Sequence, residues 1–384
     1  MPYWRLSNFY FFYFALLGAI APYVPLYFAH LGFSPARIGE LVAMPMLMRC
    51  LAPNLWGWLG DKTGQRLRII RWGALLTLLG FSLIFINKSY AWLALVMLIH
   101  AFFWHAILPQ FEVITFEHLS QRPQDYSRIR LWGSVGFIVT VVLLGYVFAD
   151  LGLGSFPWLV CLIMLGIWLS SLLVPKAKTQ AARLQSQVGY GFFSYLQQRP
   201  IGVFYLAVML MQISHGPYYT FLSVYLTELG YSRSAVGWLW SLGVLAEIGL
   251  FIYMPKLLLR FSLRHVLLAS FALAAVRWLA LGYLADQLLC LIVIQILHAA
   301  TFGSFHAAAM QFVQRQFPSN RQGQGQALYV SLSGVGAAIG ALYAGYMWSA
   351  AGAAGTFAVA AGAATMALII VWMGLTEHRN GQTA

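Results

Sequence analysis

Charged residues are scarce in this sequence. Asp, Glu, Lys and Arg make up 9% of the 384 residues, whereas hydrophobic residues make up 61%. Soluble globular domains carry about 25% charged residues, so the composition excludes an ordinary soluble domain. Apolar runs of about 20 residues are long enough to cross about 30 Å of hydrocarbon. The sequence therefore predicts an all-α membrane protein that crosses the bilayer many times.

Cysteines and nucleotide or metal motifs are also rare or missing. Cys50, Cys161 and Cys290 lie far apart in apolar segments, which excludes a disulfide framework and a zinc site. The phosphate-binding motif G-x-x-x-x-G-K-[ST] and the metalloprotease motif H-E-x-x-H do not occur in the sequence. We therefore expect neither ATP-driven transport nor a membrane-embedded enzyme, and no cofactor or metal.

Turn signals between the apolar runs predict twelve transmembrane helices. The predicted spans are 6–29, 38–60, 69–87, 91–118, 129–149, 156–174, 202–227, 236–256, 265–284, 287–313, 323–348 and 355–375. Arg5 precedes the first span without a small-residue cleavage pattern, so that span is predicted to be retained rather than removed as a signal peptide. The long polar connection predicts an N-terminal six-helix bundle (1–174), a cytoplasmic linker (175–200) and a C-terminal six-helix bundle (201–384).

Basic residues lie mainly on one predicted side of the membrane. If both termini are cytoplasmic, 18 of the 23 Lys and Arg residues lie on the cytoplasmic side, in connections or at the adjoining ends of spans. This bias is the positive-inside rule, and it explains the net charge of +13 without a nucleic-acid partner. We expect a multi-pass protein of the bacterial inner membrane, surrounded by lipid, monomeric, and with both termini in the cytoplasm.

The two halves of the chain resemble each other. "LYFAHLGFSPARIG" (26–39) aligns with "VYLTELGYSRSAVG" (224–237) at an offset of 198, and the same offset places Arg49 opposite Glu247. Two parallel six-helix repeats are typical of transporters whose binding site lies between the halves near the membrane midplane. Chance similarity between apolar segments is the alternative.

The connection between spans 2 and 3 carries the motif "GWLGDKTGQR". Its pattern, G-x-L-x-D-[KR]-x-G-x-[RK], resembles the major facilitator superfamily, and the resemblance covers the whole chain. A glycine turn with a carboxylate near basic groups can hold one conformation closed toward the cytoplasm and open in another. A solvated turn is the alternative. The predicted conformational latch consists of Gly57, Asp61, Lys62, Gly64 and Arg66.

Ionisable residues inside the spans are the next candidates, because burying an unpaired charge in a membrane is costly. Span 4 carries Glu112 and span 5 begins with Arg130, which lies 18 residues later, after a short loop. We expect these two side chains to pair and to lend their charges to a substrate. The alternative is that Arg130 extends to the membrane interface.

The segment "FEVITFEHLSQRPQDYSRIRLWGSVGF" (111–137) resembles the lactose-permease-like branch of the superfamily. The matching acid and arginine of that branch have the spacing of Glu112 and Arg130. In the sugar symporters this pair binds galactoside, and an indole stacks on the sugar. Phe137 replaces that indole here, which disfavours a sugar as substrate.

Segments of the second half resemble the 3-phenylpropionate (hydrocinnamate) permeases, which are proton-coupled importers of aromatic acids. The matching segments are "AEIGLF" (246–251), "VRWLALG" (276–282) and "LHAATFGSFHAAAMQFV" (297–313). The resemblance to the sugar symporters implies a coupling network of Glu247, Arg277 and His298. The carboxylate one turn after the histidine in those symporters is replaced by Thr301.

The residues themselves favour Glu247 as the proton carrier, because a carboxyl in a low-dielectric cavity can exchange a proton near neutral pH. A structural brace between Glu247 and Arg277 is the alternative. His298 and His306 also titrate in a useful range. Their spacing in a regular helix predicts that they face directions about 80° apart. A hydrogen bond to a neighbouring helix is the alternative role for each.

Together these patterns predict a secondary active transporter that imports a small aromatic carboxylate with protons by alternating access. The predicted substrate-binding residues are Glu112, Arg130, Arg49, Phe137 and His298, and the predicted proton-coupling residues are Glu247, Arg277, His298 and His306. An oligosaccharide or nucleoside proton symporter is the alternative. The pair Glu112 and Arg130 favours that alternative, whereas Phe137 and Thr301 disfavour it.

Overall fold

The computed structural model describes residues 2–119, 122–176, 196–318 and 321–375. Within these ranges the chain is almost entirely helical, and none of the described residues lies in a β-strand. The all-α prediction is therefore confirmed. Most of the predicted linker 175–200 lies outside the described residues.

Long helices follow one another through the described chain, and each of the twelve predicted spans lies on helical structure. The first group is α1 (Tyr3–His30), α2 (Pro35–Thr63), α3 (Arg66–Ser82), α4 (Tyr90–His118), α5 (Tyr126–Leu151) and α6 (Phe156–Leu173). The second group is α7 (Arg199–Glu228), α8 (Arg233–Arg260), α9 (Leu263–Leu284), α10 (Leu288–His298), α11 (Ser304–Gln316) and α12 (Gln322–Gly374). A π-helical turn, Ala299–Gly303, joins α10 to α11.

The repeat seen in the sequence has a structural counterpart at the ends of α1 and α7. Gly32 and Gly230 both have positive φ, at 83° and 88°. The backbone N–H of the following residue, Phe33 or Tyr231, donates to the carbonyl five residues earlier, at 3.2 and 2.9 Å. This pattern is a glycine-terminated helix end, and glycine adopts its left-handed conformation without steric cost. The shared sequence LG(F/Y)S therefore encodes the same helix stop twice.

Most of these helices are built to cross a membrane. In the described part of the chain, nine helices are long and apolar enough to span a bilayer. One of the nine is α12, whose 53 residues would extend about 80 Å if straight, more than twice the hydrocarbon thickness. Its backbone breaks at Gly352, where φ is 64° and ψ is −167°. The protein is therefore multi-pass, and the total of twelve spans stays a prediction.

The described residues form two compact units. Unit 1 contains those within Met1–Leu184, Pro217–Ser241 and Ala341–Ala350. Unit 2 contains those within Gln185–Gly216, Leu242–Gly340 and Ala351–Ala384. Helices α7, α8 and α12 contribute to both units. The division into bundles at 1–174 and 201–384 stays a prediction.

Small residues bring α1 and α5 close together in unit 1. A Cβ added to Gly136 would overlap the carbonyl oxygen of Phe11, and one added to Gly18 would lie 2.7 Å from the carbonyl oxygen of Phe137. Small residues of this kind let transmembrane helices approach at their backbones. The close crossing places the first turns of α5 beside the aromatic residues of α1.

Candidate functional site

Arg130 of α5 lies against the aromatic face of α1. Its guanidinium carbon is 3.7 Å from the centre of the Phe14 ring and 5.8 Å from that of Tyr10. No hydrogen bond from this guanidinium to another described residue is present. The side chain is half-buried. An aromatic ring therefore covers one face of the guanidinium, and whether Arg130 extends to the membrane interface stays a prediction.

Glu112 of α4 is close to Arg130, but the two do not form the direct pair expected from the sequence. The half-buried carboxylate accepts a hydrogen bond from the Tyr126 hydroxyl at 3.2 Å. Among the described residues, no hydrogen bond or ion pair joins Glu112 to Arg130. The two groups do interact electrostatically. Glu112 bonds to Tyr126 and Arg130 packs on Phe14. These contacts take the place of a direct pair.

Arg49 and Phe137 occupy different surroundings on unit 1. Arg49 is exposed on α2, and its charge interacts with Tyr13 and His105. Tyr13 also interacts electrostatically with the Glu112 and Arg130 groups. Phe137 is buried at the α1–α5 crossing. Arg49 is thus exposed and Phe137 buried, and the substrate-binding role predicted for each stays a prediction.

The predicted latch residues separate into two sets at the α2–α3 turn. Gly64 ends α2 with φ of 65°, and Arg66 then forms an ion pair with Asp61. Arg66 also donates to the side-chain oxygen of Gln110 on α4 at 2.5 Å. Lys62 instead lies over the Trp58 ring of its own helix, 4.9 Å from its centre. Gly57 lies within α2, and a Cβ added to it would lie 3.9 Å from Gln110 Nε2.

In unit 2, Glu247 of α8 faces His298 at the end of α10. The Glu247 Oε2 and His298 Nε2 atoms are 3.7 Å apart, and both side chains are largely shielded from solvent. A Cβ added to Gly303 would lie 3.1 Å from the Cγ atom of Glu247. The π-helical turn therefore packs tightly against this carboxylate, and the carboxylate and imidazole form an acid–base pair.

Arg277 is completely buried in the same unit. Its Nε donates to the carbonyl oxygen of Ile294 at 2.9 Å, and its Nη1 donates to the Thr301 hydroxyl at 3.1 Å. The guanidinium also interacts electrostatically with His215 and His298. Arg277 thus bonds to Thr301, the residue that replaces the carboxylate of the sugar symporters.

The π-helical turn changes how the two histidines of the coupling prediction are arranged. His298 stacks on Phe302 and Phe302 on His306, with ring centres 5.3 and 6.3 Å apart and interplanar angles of 7° and 6°. A π-helix bonds i to i+5 and so has a wider turn than an α-helix. The expectation that the histidines face directions about 80° apart assumed a regular α-helix, and the π-helical turn lies between them. Their relative facing stays a prediction. His306 shares a hydrogen bond with the Tyr329 hydroxyl at 3.0 Å.

A further polar cluster lies in unit 1 at the predicted periplasmic end of α2. The Glu40 carboxylate accepts hydrogen bonds from the hydroxyls of Tyr90 and Tyr346, at 2.6 and 2.5 Å. Arg37 lies over the Tyr90 ring, 5.5 Å from its centre. One carboxylate therefore connects α2 to α4 and α12. Glu40 directly follows "SPARIG" (34–39) at the edge of its predicted span, where a charged residue gives no signal of a functional site.

The MFS_1 like family matches residues 3–359 of the chain. The chain belongs to the MFS_1 like family. Within it, a "Probable 3-phenylpropionic acid transporter" of Escherichia coli (strain K12) is 34% identical over 350 residues, covering 88% of this chain and 89% of that protein. "Maltose permease" of Geobacillus stearothermophilus is 25% identical over 346 residues, covering 88% and 86%. The resemblances seen in the sequence are thereby confirmed.

The fold of this MFS_1 like protein also matches solved transporters. The crystal structure of nucleoside transporter NupG superimposes with a TM-score of 0.86 at 17% identity, covering 98% of this chain and all of that one. This similarity confirms the predicted fold of the major facilitator superfamily. The family and the relatives named here are membrane transporters, not enzymes.

Sequence reasoning missed the aromatic partners of the charged residues in this MFS_1 like protein. Tyr10, Tyr13 and Phe14 lie in the α1 segment "YFFYF" (10–14), and Tyr126 begins α5. The signal available in the sequence was the i, i+4 spacing of Tyr10 and Phe14, which places both on one helix face. Nothing in the sequence indicates which neighbouring helix that face contacts.

Proposed function

We propose that this protein is an inner-membrane symporter that imports a small aromatic carboxylate, such as 3-phenylpropionate, together with protons. The observation that carries the proposal is the half-buried Arg130 guanidinium set among the aromatic side chains Phe14 and Tyr10. A guanidinium offers a charge and a planar set of donors for a carboxylate. The Phe14 ring is covered by the guanidinium, and the half-buried Tyr126 beside Tyr10 offers a surface for an aromatic ring. The 34% identical relative named as a probable 3-phenylpropionic acid transporter supports the same substrate class.

Glu247 and His298 are the proposed proton site in unit 2. Their 3.7 Å separation allows one proton to be held by either group. Arg277 is buried in the same unit and donates to the Thr301 hydroxyl, and its guanidinium stays charged at any physiological pH. A permanent positive charge favours the deprotonated carboxylate, and a movement of Arg277 would change that preference. His306 extends the stacked row from His298 and is proposed to assist proton transfer.

Alternating access is the proposed transport cycle, with the turn formed by Asp61, Gly64 and Arg66 as a latch. Coupling requires that the protein change conformation readily only when empty or when loaded with both substrate and proton. The Asp61–Arg66 ion pair and its link to Gln110 tie the α2–α3 turn to α4. Breaking and re-forming such contacts is one way in which helix ends alternate between states. We further propose that both termini lie in the cytoplasm.

The central experiment measures uptake of radiolabelled 3-phenylpropionate into proteoliposomes with and without an inward proton gradient. We expect the gradient to drive accumulation in the wild type. The variant Glu247→Gln cannot exchange a proton at this position, so we expect it to lose gradient-driven accumulation while it retains exchange of internal for external substrate. Uphill uptake by Glu247→Gln equal to that of the wild type would remove Glu247 from the coupling role.

A nucleoside or oligosaccharide symporter is the second candidate function. Relatives named "Xanthosine permease" and "Maltose permease" are 24% and 25% identical to this chain. A nucleoside and an oligosaccharide are therefore both tested as substrates. The same proteoliposomes are therefore assayed with labelled maltose and xanthosine. Gradient-driven uptake of either, without uptake of 3-phenylpropionate, would replace the aromatic carboxylate as the proposed substrate.

A further inference from the structure

The guanidinium of Arg130 has two chemically different surfaces. Its flat face lies on the ring of Phe14, with 3.7 Å between the guanidinium carbon and the ring centre. Its edge carries N–H donors, and within the described chain these donate no hydrogen bond. A cation–π contact occupies the face and leaves the planar edge available. Phe14 therefore fixes the orientation of the guanidinium without using its donors.

Gly133 provides the space that this arrangement needs. A Cβ added at position 133 would lie 2.7 Å from Arg130 Nη1 and 2.7 Å from Phe14 Cδ2. Such distances are shorter than van der Waals contact, so a side chain at this position would displace either the guanidinium or the ring. Gly133 lies almost one helical turn after Arg130 on α5, where only glycine leaves room for both groups.

The Glu112 carboxylate does not occupy the guanidinium edge. Glu112 is held by the Tyr126 hydroxyl at 3.2 Å and influences Arg130 only at longer range. A direct carboxylate–guanidinium pair would satisfy the donors that a substrate needs. The contacts with Tyr126 and Phe14 thus leave Glu112 and Arg130 close enough to interact electrostatically, without a direct hydrogen bond between them.

We propose that Phe14 is a positioning and specificity-determining residue, which holds the face of Arg130 so that its N–H edge receives the carboxylate of the substrate. This inference rests on the proposed function. A guanidinium held in one orientation loses less conformational entropy when it binds, and its two parallel donors match the two oxygens of a carboxylate. A neutral amide of the same shape lacks the second acceptor and the charge. Phe14 therefore increases the preference for the acid over its amide.

The test compares the binding of 3-phenylpropionate and of 3-phenylpropionamide to purified protein by equilibrium dialysis. We expect Phe14→Leu to weaken binding of the acid by about 3- to 30-fold, the range that one cation–π contact supports, and to leave amide binding unchanged. Phe14→Tyr keeps an aromatic face and should restore acid binding. Phe12→Leu is the matched control, because Phe12 is equally half-buried on α1 but packs against Gly166 of α6.

Gly133→Ala tests the same arrangement from the other side. We expect it to weaken acid binding as Phe14→Leu does, whereas Gly362→Ala, where an added Cβ meets no atom within 4 Å, should bind like the wild type. Thermal unfolding of each variant shows whether it is folded. If Phe14→Leu loses its fold, Gly133→Ala and Phe14→Tyr still decide the question.

Three outcomes would overturn the inference. Unchanged acid binding by Phe14→Leu and Gly133→Ala, with binding by the wild type, would remove the positioning role and leave the proposed function intact. An equal loss for acid and amide would show that Phe14 contacts the ligand ring instead of orienting Arg130. If the wild type binds neither compound, the proposed substrate class fails and the inference fails with it.

Discussion

Arg130 and Arg128 lie two residues apart on α5 but in different surroundings. The Arg128 side chain is 78% exposed, and its Nη1 is 3.8 Å from Asp125 Oδ1, an exposed i, i+3 contact that contributes little. Arg130 lies over Phe14, close to the Glu112 charge. Arg128 is therefore the charge predicted to lie at the membrane edge, and Arg130 is the charge proposed to bind the substrate.

We expect Arg130→Gln to weaken binding of 3-phenylpropionate by at least about tenfold, because a charge-assisted hydrogen bond contributes about 1.5–3 kcal/mol. Arg128→Gln removes the same charge from the same helix and should change the affinity less than about twofold. Equilibrium dialysis with labelled substrate measures both. Equal affinities for Arg130→Gln and Arg128→Gln would show that Arg130 does not contact the carboxylate.

Helix α12 contains a residue with non-helical backbone angles in its interior. Gly352 has φ of 64° and ψ of −167°, a combination that is essentially restricted to glycine. It divides the 53-residue helix into two segments, and each is longer than the roughly 20 residues that a membrane crossing needs. The break lies between the predicted spans 323–348 and 355–375, so the turn expected there from the sequence is present.

Replacing Gly352 with alanine should destabilise the protein, because a Cβ in this conformation costs about 1–3 kcal/mol. Gly362→Ala on the same helix is the matched control. Position 362 is helical, has no atom within 4 Å of an added Cβ, and alanine favours a helix over glycine by about 1 kcal/mol. Thermal unfolding in detergent should therefore give a lower Tm for Gly352→Ala and an unchanged or higher Tm for Gly362→Ala. The opposite order would contradict the assigned break.

The helices could be predicted because their signals are local. Apolar runs separated by Gly, Pro and charged residues mark each predicted span, and the sequence LG(F/Y)S marks the end of both α1 and α7. The π-helical turn Ala299–Gly303 has no comparable signal. It depends on how α10 and α11 pack against α8 and α9, which a single sequence does not encode locally. The prediction for the relative direction of His298 and His306 assumed a regular α-helix and did not include this turn.

The charged residues of the candidate site could be predicted from the sequence, but the side chains that they contact could not. The spacing of Glu112 and Arg130 and their place at the ends of two helices indicated that they lie near each other. Which groups they contact depends on the rotation of α1 and α5 about their axes. That rotation is fixed by the close crossing at Gly136, which brings Phe14 to Arg130. Competition between several possible partners is decided by tertiary packing, and residue spacing alone cannot resolve it.

The internal repeat extends to two helix crossings within unit 1. A Cβ added to Gly39 would lie 2.5 Å from the carbonyl oxygen of Ala341, and one added to Gly237 would lie 2.6 Å from that of Val141. Gly39 and Gly237 are 198 positions apart, and Val141 and Ala341 are 200 apart. The two crossings are therefore equivalent under the repeat. Both lie at helix ends predicted to face the periplasm, and we expect them to separate in part of the proposed alternating-access cycle.

Glu40 adds a polar restraint to one crossing and makes the pair asymmetric. Its carboxylate bonds the hydroxyls of Tyr90 and Tyr346, and so joins α2 to α4 and to the α12 segment that contains Ala341. The equivalent residue of the second repeat is Trp238, which has no carboxylate. Opening toward the periplasm must break the Glu40–Tyr346 hydrogen bond. The strength of this bond should therefore influence how often that side opens.

We expect Glu40→Gln to increase periplasmic opening, because a neutral acceptor gives hydrogen bonds weaker by about 1 kcal/mol than a carboxylate does, and this corresponds to about a fivefold change in an equilibrium. A cysteine placed at the buried position Val42, with the native cysteines replaced by serine, reports opening by its labelling rate with a membrane-impermeant maleimide. Asp150→Asn removes an exposed carboxylate at the same predicted side and should leave the rate unchanged. A fivefold faster rate in Glu40→Gln alone would identify the carboxylate as a restraint on opening. Equal rates in both variants would show that the glycine crossings close this side without it.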